Sequence, residues 1–112
     1  MRLNASFGKA GASRLDIDEA FGAVLRELRE HRGLTQDAFG TAASRQYIHR
    51  LEKGEHSPTL DRVEQIAQVL GVDAVVLILW AYDRVSEKPV GSAGKRANQA
   101  LAKLVDDLFL RP

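Results

Sequence analysis

Apolar residues spaced three and four apart recur along most of this chain, and no segment alternates apolar and polar residues cleanly two apart. That pattern constrains the fold more than any other feature. A stripe with that spacing lies on one side of a helix, whereas a half-buried strand needs a period of two. Ile17, Phe21, Val24, Leu25 and Leu28 form the first stripe. Asp16, Asp18 and Glu19 stand near its start, where the helix dipole favours acids, and Gly33 is placed to end it. Thr35 suits the cap of a second helix, in which Ala38 and Phe39 face inward. Ser44 caps a third, with Ile48 and Leu51 on one face and Gly54 as its stop. Pro58 fits the first turn of a fourth helix, capped by Ser57 or Thr59. Its stripe is Leu60, Val63, Ile66, Ala67 and Leu70, and Gly71 ends it. Asp73 suits the cap of a fifth helix that runs to about Tyr82.

The stretch SEKPVGSAG, Ser86–Gly94, reads as a linker because of its Pro and glycines. Beyond it, a helix over roughly Lys95–Leu110 carries Ala97, Leu101, Leu104, Val105 and Leu108 on one side. The expected architecture is all-α: a flexible N-terminal arm (1–15), a five-helix domain (16–83), a linker (84–94), and a C-terminal helix (95–112) for docking or dimerisation.

Composition narrows the function. With 112 residues, 45% hydrophobic and 28% charged, the chain can bury a core without a metal or disulfide. It has no Cys, which excludes disulfides, thiol chemistry and Cys-based zinc sites. The net charge of +1 decides nothing, because a nucleic-acid binder needs a local basic face rather than a large total. The N-terminus MRLNASFGKAGASRL lacks the continuous apolar core of a secretory signal. The apolar run AVVLILWAY, Ala74–Tyr82, is far shorter than the roughly 20 residues that span a bilayer, so a buried helix and a cytoplasmic protein are expected. His31, His49 and His56 are scattered, and no nucleophile elbow, phosphate loop or acid–base pair stands out. His49 and Glu52 lie about one helical turn apart, but no second His joins them at ligand spacing. No catalytic residue, cofactor or metal is expected.

The stretches RGLTQDAF and SRQYIHRLEKGEHSPTLDRVEQIAQVLGV resemble the phage-repressor and Cro-like helix-turn-helix family of bacterial regulators, the XRE family. The resemblance covers roughly Ile17 to Trp80. It rests on an ordered set: Leu34-Thr35-Gln36, Ser44 with Ile48 and Leu51, Glu52 with Gly54, Pro58, and the Ile66–Leu70 run before Gly71-Val72. It implies a lambda-repressor-like domain that binds double-stranded DNA through the helix over residues 44–53, most simply as a repressor acting at the nucleoid. Ile48 and Leu51 would anchor that helix, leaving Arg45, Gln46, His49 and Arg50 on its outer side or N-terminal end. Alone, these four would suit a solvated face; within the ordered set they are candidate base readers. Arg donates bidentately to guanine, and Gln pairs bidentately with adenine. The resemblance also implies a phosphate contact for Gln36 and an ion pair between Arg29 and Glu52 that ties the first helix to the third. Thr35, Ser44 and Lys53 are further candidate phosphate contacts, as are Arg2, Lys9 and Arg14 of the arm. Tyr47 stays open between packing and phosphate contact. In one respect the chain departs from the family. Only GTAA, Gly40–Ala43, separates Phe39 from Ser44, so either the second helix is short or the turn is rebuilt.

Two apolar surfaces remain without an assigned neighbour. The helix containing Trp80 is apolar on more than one side, and the one-sided stripe of Leu101, Leu104, Val105 and Leu108 likewise needs a surface to pack against. The last helix either folds back or meets a second subunit. A homodimer is expected, since two-fold dimers read paired half-sites. The alternative is an antitoxin or accessory module whose C-terminal helix binds a protein partner and which regulates its own promoter.

Overall fold

The computed structural model describes residues 14–111. They form α1 (Arg14–His31), a 3₁₀ helix (Gln36–Phe39), α2 (Arg45–Glu52), α3 (Leu60–Leu70), α4 (Ala74–Val85) and α5 (Ser92–Val105), with no strand among the described residues. A π-helical turn, Asp106–Leu110, prolongs α5. The all-α helix-turn-helix architecture with an added C-terminal helix is the one found. Its second helix is reduced to one 3₁₀ turn, the short-helix answer to the GTAA departure. Of the N-terminal arm, Arg2 and Lys9 lie outside the described residues, while the backbone of Arg14 and Leu15 already belongs to α1.

The core forms where the predicted stripes converge. Val24 and Leu25 of α1, Ile48 and Leu51 of α2, Ile66 and Leu70 of α3, and Leu77 of α4 are all fully buried together. α1 packs against both α2 and α4. Its approach to α2 is close enough to exclude any side chain at Gly22. A Cβ there would collide with the Leu51 carbonyl and come within 2.9 Å of the Glu52 carbonyl oxygen. Gly54 ends the segment after α2 at φ +77°, a left-handed conformation that glycine adopts without strain.

Several local expectations are corrected. Ala38 is exposed and only Phe39 is buried, because one four-residue 3₁₀ turn offers the core a single side chain. Leu60 is 78% exposed: it stands in the first turn of α3, where side chains lean toward the helix N-terminus and off the edge of the core. Neither Thr35 nor Asp73 caps through its side chain. Their own carbonyls take one N–H group that each such cap could bind, that of Ala38 (3.1 Å) and that of Val76 (3.0 Å), in tight i to i+3 turns. Thr59, not Ser57, caps α3 by accepting from the Arg62 N–H at 3.1 Å, so Pro58 precedes the cap and lies outside the first turn. Ser57 instead donates to Asp18.

α4 runs on to Val85 and α5 starts at Ser92, so the connection between them is shorter than the sequence indicates. The side chain of Asp83 organises it. This aspartate is 1% exposed. Its Oδ2 accepts from the Gly91 N–H at 2.8 Å and its Oδ1 from the Ala93 N–H at 2.6 Å. These are the unpaired donors of the α5 N-terminus, so a carboxylate on α4 caps the following helix. Past that anchor α5 leaves the core. The radius of gyration is 15.7 Å, against about 13 Å for a compact chain of this size. Among the described residues no single helix is long and apolar enough to cross a membrane; α3 and α4 are apolar together but bend by 103°.

Candidate nucleic-acid interface

Helix α2 is built to show one side and hide the other. Ser44 starts it by accepting from the Tyr47 N–H at 3.1 Å. Ile48 and Leu51, both fully buried, hold its inner side. Arg45, Gln46, His49 and Arg50 are exposed. No salt bridge among the described residues engages Arg45, His49 or Arg50. Lys53, just past the helix end, is also exposed and lies 3.8 Å from Glu55. A chain with almost no net charge therefore concentrates three cations and an imidazole along one short helix and its C-terminus.

The far end of α2 is braced from behind. Arg29 of α1 donates to Glu52 through Nε (2.5 Å to Oε2) and Nη2 (3.0 Å to Oε1), a bidentate pair with side chains 10% and 5% exposed. Its Nη1 donates to the Leu34 carbonyl at 2.8 Å. Gln36 Nε2 donates to Glu52 Oε1 at 3.0 Å. Hydrogen bonding to Glu52 holds Arg29 above the usual arginine range against the opposing effect of burial, and the charges of Glu52 and Glu30 add to it. One carboxylate thus joins α1, the 3₁₀ helix and α2. The structure brings Arg29, Glu52 and Gln36 together, a partner for Gln36 that the sequence did not indicate. With Glu52 so engaged, it is not a free ligand beside His49.

Tyr47 is half-buried and packs by its ring. The ring stacks with His56 at 6.0 Å between centroids and 19° between planes, and the Arg62 guanidinium carbon lies 5.0 Å from its centroid. Arg62 Nη1 also donates to the Ala42 carbonyl at 2.6 Å. Neither Arg62 nor His56 stands out in the sequence as part of this site; Arg62 reaches it because α3 approaches the turn before α2, and His56 from the connection that follows α2. Thr35 and Ser44 are exposed, and Thr35 keeps its hydroxyl free of any capping bond.

The residues assigned to docking separate into two environments. Trp80 is half-buried against the core and lines a cleft with Asp83, Arg84, Glu87, Lys88 and Val90. Leu101, Leu104, Val105 and Leu108 are between 47% and 68% exposed, and Phe109 and Leu110 extend the same apolar end.

Comparison with known proteins agrees with this geometry. A family model described as a helix-turn-helix domain matches residues 20–78. An HTH-type transcriptional regulator of Sinorhizobium fredii, y4dJ, is 35% identical over 66 residues, which are 57% of this chain and 86% of that protein. The crystal structure of the clp gene regulator ClgR from Corynebacterium glutamicum superposes with a TM-score of 0.58 over 85% of this chain and 96% of ClgR; at 23% identity this likeness speaks for the fold alone. With more than half its length matched and a covering relative above 30% identity, the chain belongs to the helix-turn-helix family of transcriptional regulators.

Proposed function

We propose that this protein is a sequence-specific double-stranded DNA-binding regulator of the XRE type, a repressor that inserts α2 into the major groove. The observation that carries the reading is the exposed set Arg45, Gln46, His49 and Arg50 on a helix fixed from behind by Ile48, Leu51 and the Arg29–Glu52 pair. These four read base edges. Gln36, Thr35, Ser44, Tyr47 and Lys53 meet phosphate and set register. Gln36 keeps its role through chemistry: its amide carries two protons, one given to Glu52 and one left for phosphate. Repression is the simplest regulatory outcome, since a groove filled by α2 is closed to other proteins. The protein acts in the cytoplasm, at the nucleoid, as a binder rather than a catalyst, without cofactor. It binds as a homodimer through the apolar side of α5, with Trp80 contributing at its base.

Selection from a random duplex library at defined salt tests this directly, because salt sets the non-specific background. A defined operator is expected. Arg45→Ala and Gln46→Ala then relax base preference, each contact being worth about 1–3 kcal/mol of discrimination. Gln36→Ala weakens binding to all sequences alike. Enrichment of no sequence, or a change in preference with Gln36→Ala but not with Arg45→Ala, would overturn these assignments.

The exposed apolar side of α5 also favours a second reading, an antitoxin or accessory module whose α5 binds another protein. Purified chain that aggregates alone and becomes soluble only with a neighbouring gene's product supports that reading. A closed dimer that shifts its own upstream DNA supports the first.

A further inference from the structure

The Glu52 brace and the buried Ile48 and Leu51 hold the middle and the C-terminal end of α2, and none of these three is in its first turn. The opposite end is held from the other flank by a residue to which neither the sequence nor the family resemblance gives a role. Arg62 sits in the first turn of α3, its N–H pinned by Thr59 Oγ1 at 3.1 Å. From that fixed base its guanidinium donates to the Ala42 carbonyl at 2.6 Å and lies 5.0 Å from the centroid of the Tyr47 ring. Ala42 belongs to the four-residue connection between the 3₁₀ helix and Ser44, and Tyr47 is the third residue of α2. One side chain therefore ties α3 to the shortened turn and to the start of the reading helix.

We propose that Arg62 is a specificity-determining positioning residue: it sets the angle at which α2 presents Arg45 and Gln46, and it does so through Ala42 and Tyr47 rather than by touching DNA. Both of its contacts are of kinds that fix direction. The hydrogen bond weakens steeply as the donor N–H turns away from the carbonyl oxygen, and the cation is held by the ring face. The turn is too short to set the angle through a regular helical second element, so the clamp replaces that constraint. The proposal rests on the DNA-reading assignment of α2.

The test compares Arg62→Met with wild type. Methionine keeps the apolar stem and removes both the charge and the donor. Binding to the selected operator and to a scrambled duplex is measured over a range of salt, with circular dichroism confirming a folded variant. A positioning role predicts that the preference for operator over scrambled duplex falls about tenfold, within what one bidentate base contact supplies. The salt dependence stays as in wild type. A phosphate contact predicts the reverse: equal losses on both duplexes, an unchanged preference, and a log–log salt slope reduced by about 0.9 per protomer. That result would overturn the proposal. The clamp is also read without DNA. Arg62→Met should shift the NMR resonances of Ala42 and of the Tyr47 ring and leave those of Arg29 and Glu52 unmoved. Unchanged Ala42 and Tyr47 resonances would overturn it as well. A wild type that binds both duplexes equally would reject the DNA-reading assignment and the specificity role with it, while the NMR shifts still decide whether the clamp exists.

Discussion

Glu52 accepts three side-chain hydrogen bonds, two from Arg29 and one from Gln36, and is the charge most exposed to loss by mutation. Glu52→Ala leaves a nearly buried guanidinium without its anion, and breaking such a pair costs about 3–5 kcal/mol. For a domain of this size, the melting temperature should drop by more than about 10 °C. Equal thermal melts for mutant and wild type would show that water replaces the carboxylate at little cost. The arginine side of the pair adds no pH dependence near neutrality. Its raised pKa gives a contribution fully present below the ordinary arginine range and lost only above it. The pairing of Arg29 with Glu52 was implied by family resemblance, but the participation of Gln36 was not. A glutamine at a helix start reads equally well as facing out or in until the neighbouring carboxylate is placed.

Among the elements, α5 depends most on a single side chain outside itself. Gly91, at its N-terminus, has no side chain to cap with, and Asp83 of α4 does that work from a buried position. Asp83→Ala removes two charge-assisted hydrogen bonds, each worth about 1.5–3 kcal/mol. Amide hydrogen exchange should accelerate at Gly91, Ala93 and along α5, while α1 to α3 keep their protection. Exchange rising equally across all helices would mean that α5 is part of the same cooperative unit. This role was not legible in the sequence, where Asp83 sits at the end of an apolar run and the following Pro and glycines suggest a loose linker. The helical stripes were legible, since periodicity of burial repeats within each element. Their ends were less so: Thr35 and Asp73 are good capping residues, yet their backbone carbonyls and not their side chains take the Ala38 and Val76 N–H groups.

At the scale of the molecule, the shape of the described residues is that of a small core with an amphipathic helix standing away from it. Leu104→Glu and Leu108→Glu place charges on the face assigned to the second subunit. If the proposed homodimer forms through this face, sedimentation should show the variant monomeric at micromolar concentrations at which the wild type sediments as a dimer. Affinity for a two-half-site operator should fall by about 10²-fold or more, because the second contact is no longer intramolecular. An unchanged mass would move the subunit contact elsewhere. The sequence by itself determined the all-α class, the stripes that make most of the core, the stops at Gly54 and Gly71, and the membership of α2 in a recognisable frame. These are local properties, set by spacing and by residues within one turn of each other. Only the tertiary structure decided that Asp83 caps a neighbouring helix, that Gln36 joins the Arg29–Glu52 pair, and that Arg62 reaches both Ala42 and Tyr47. Each of these contacts joins different elements, at separations of up to 20 residues, and no periodicity encodes them. They follow from the angle at which packed helices cross, and that angle is a property of the assembled core.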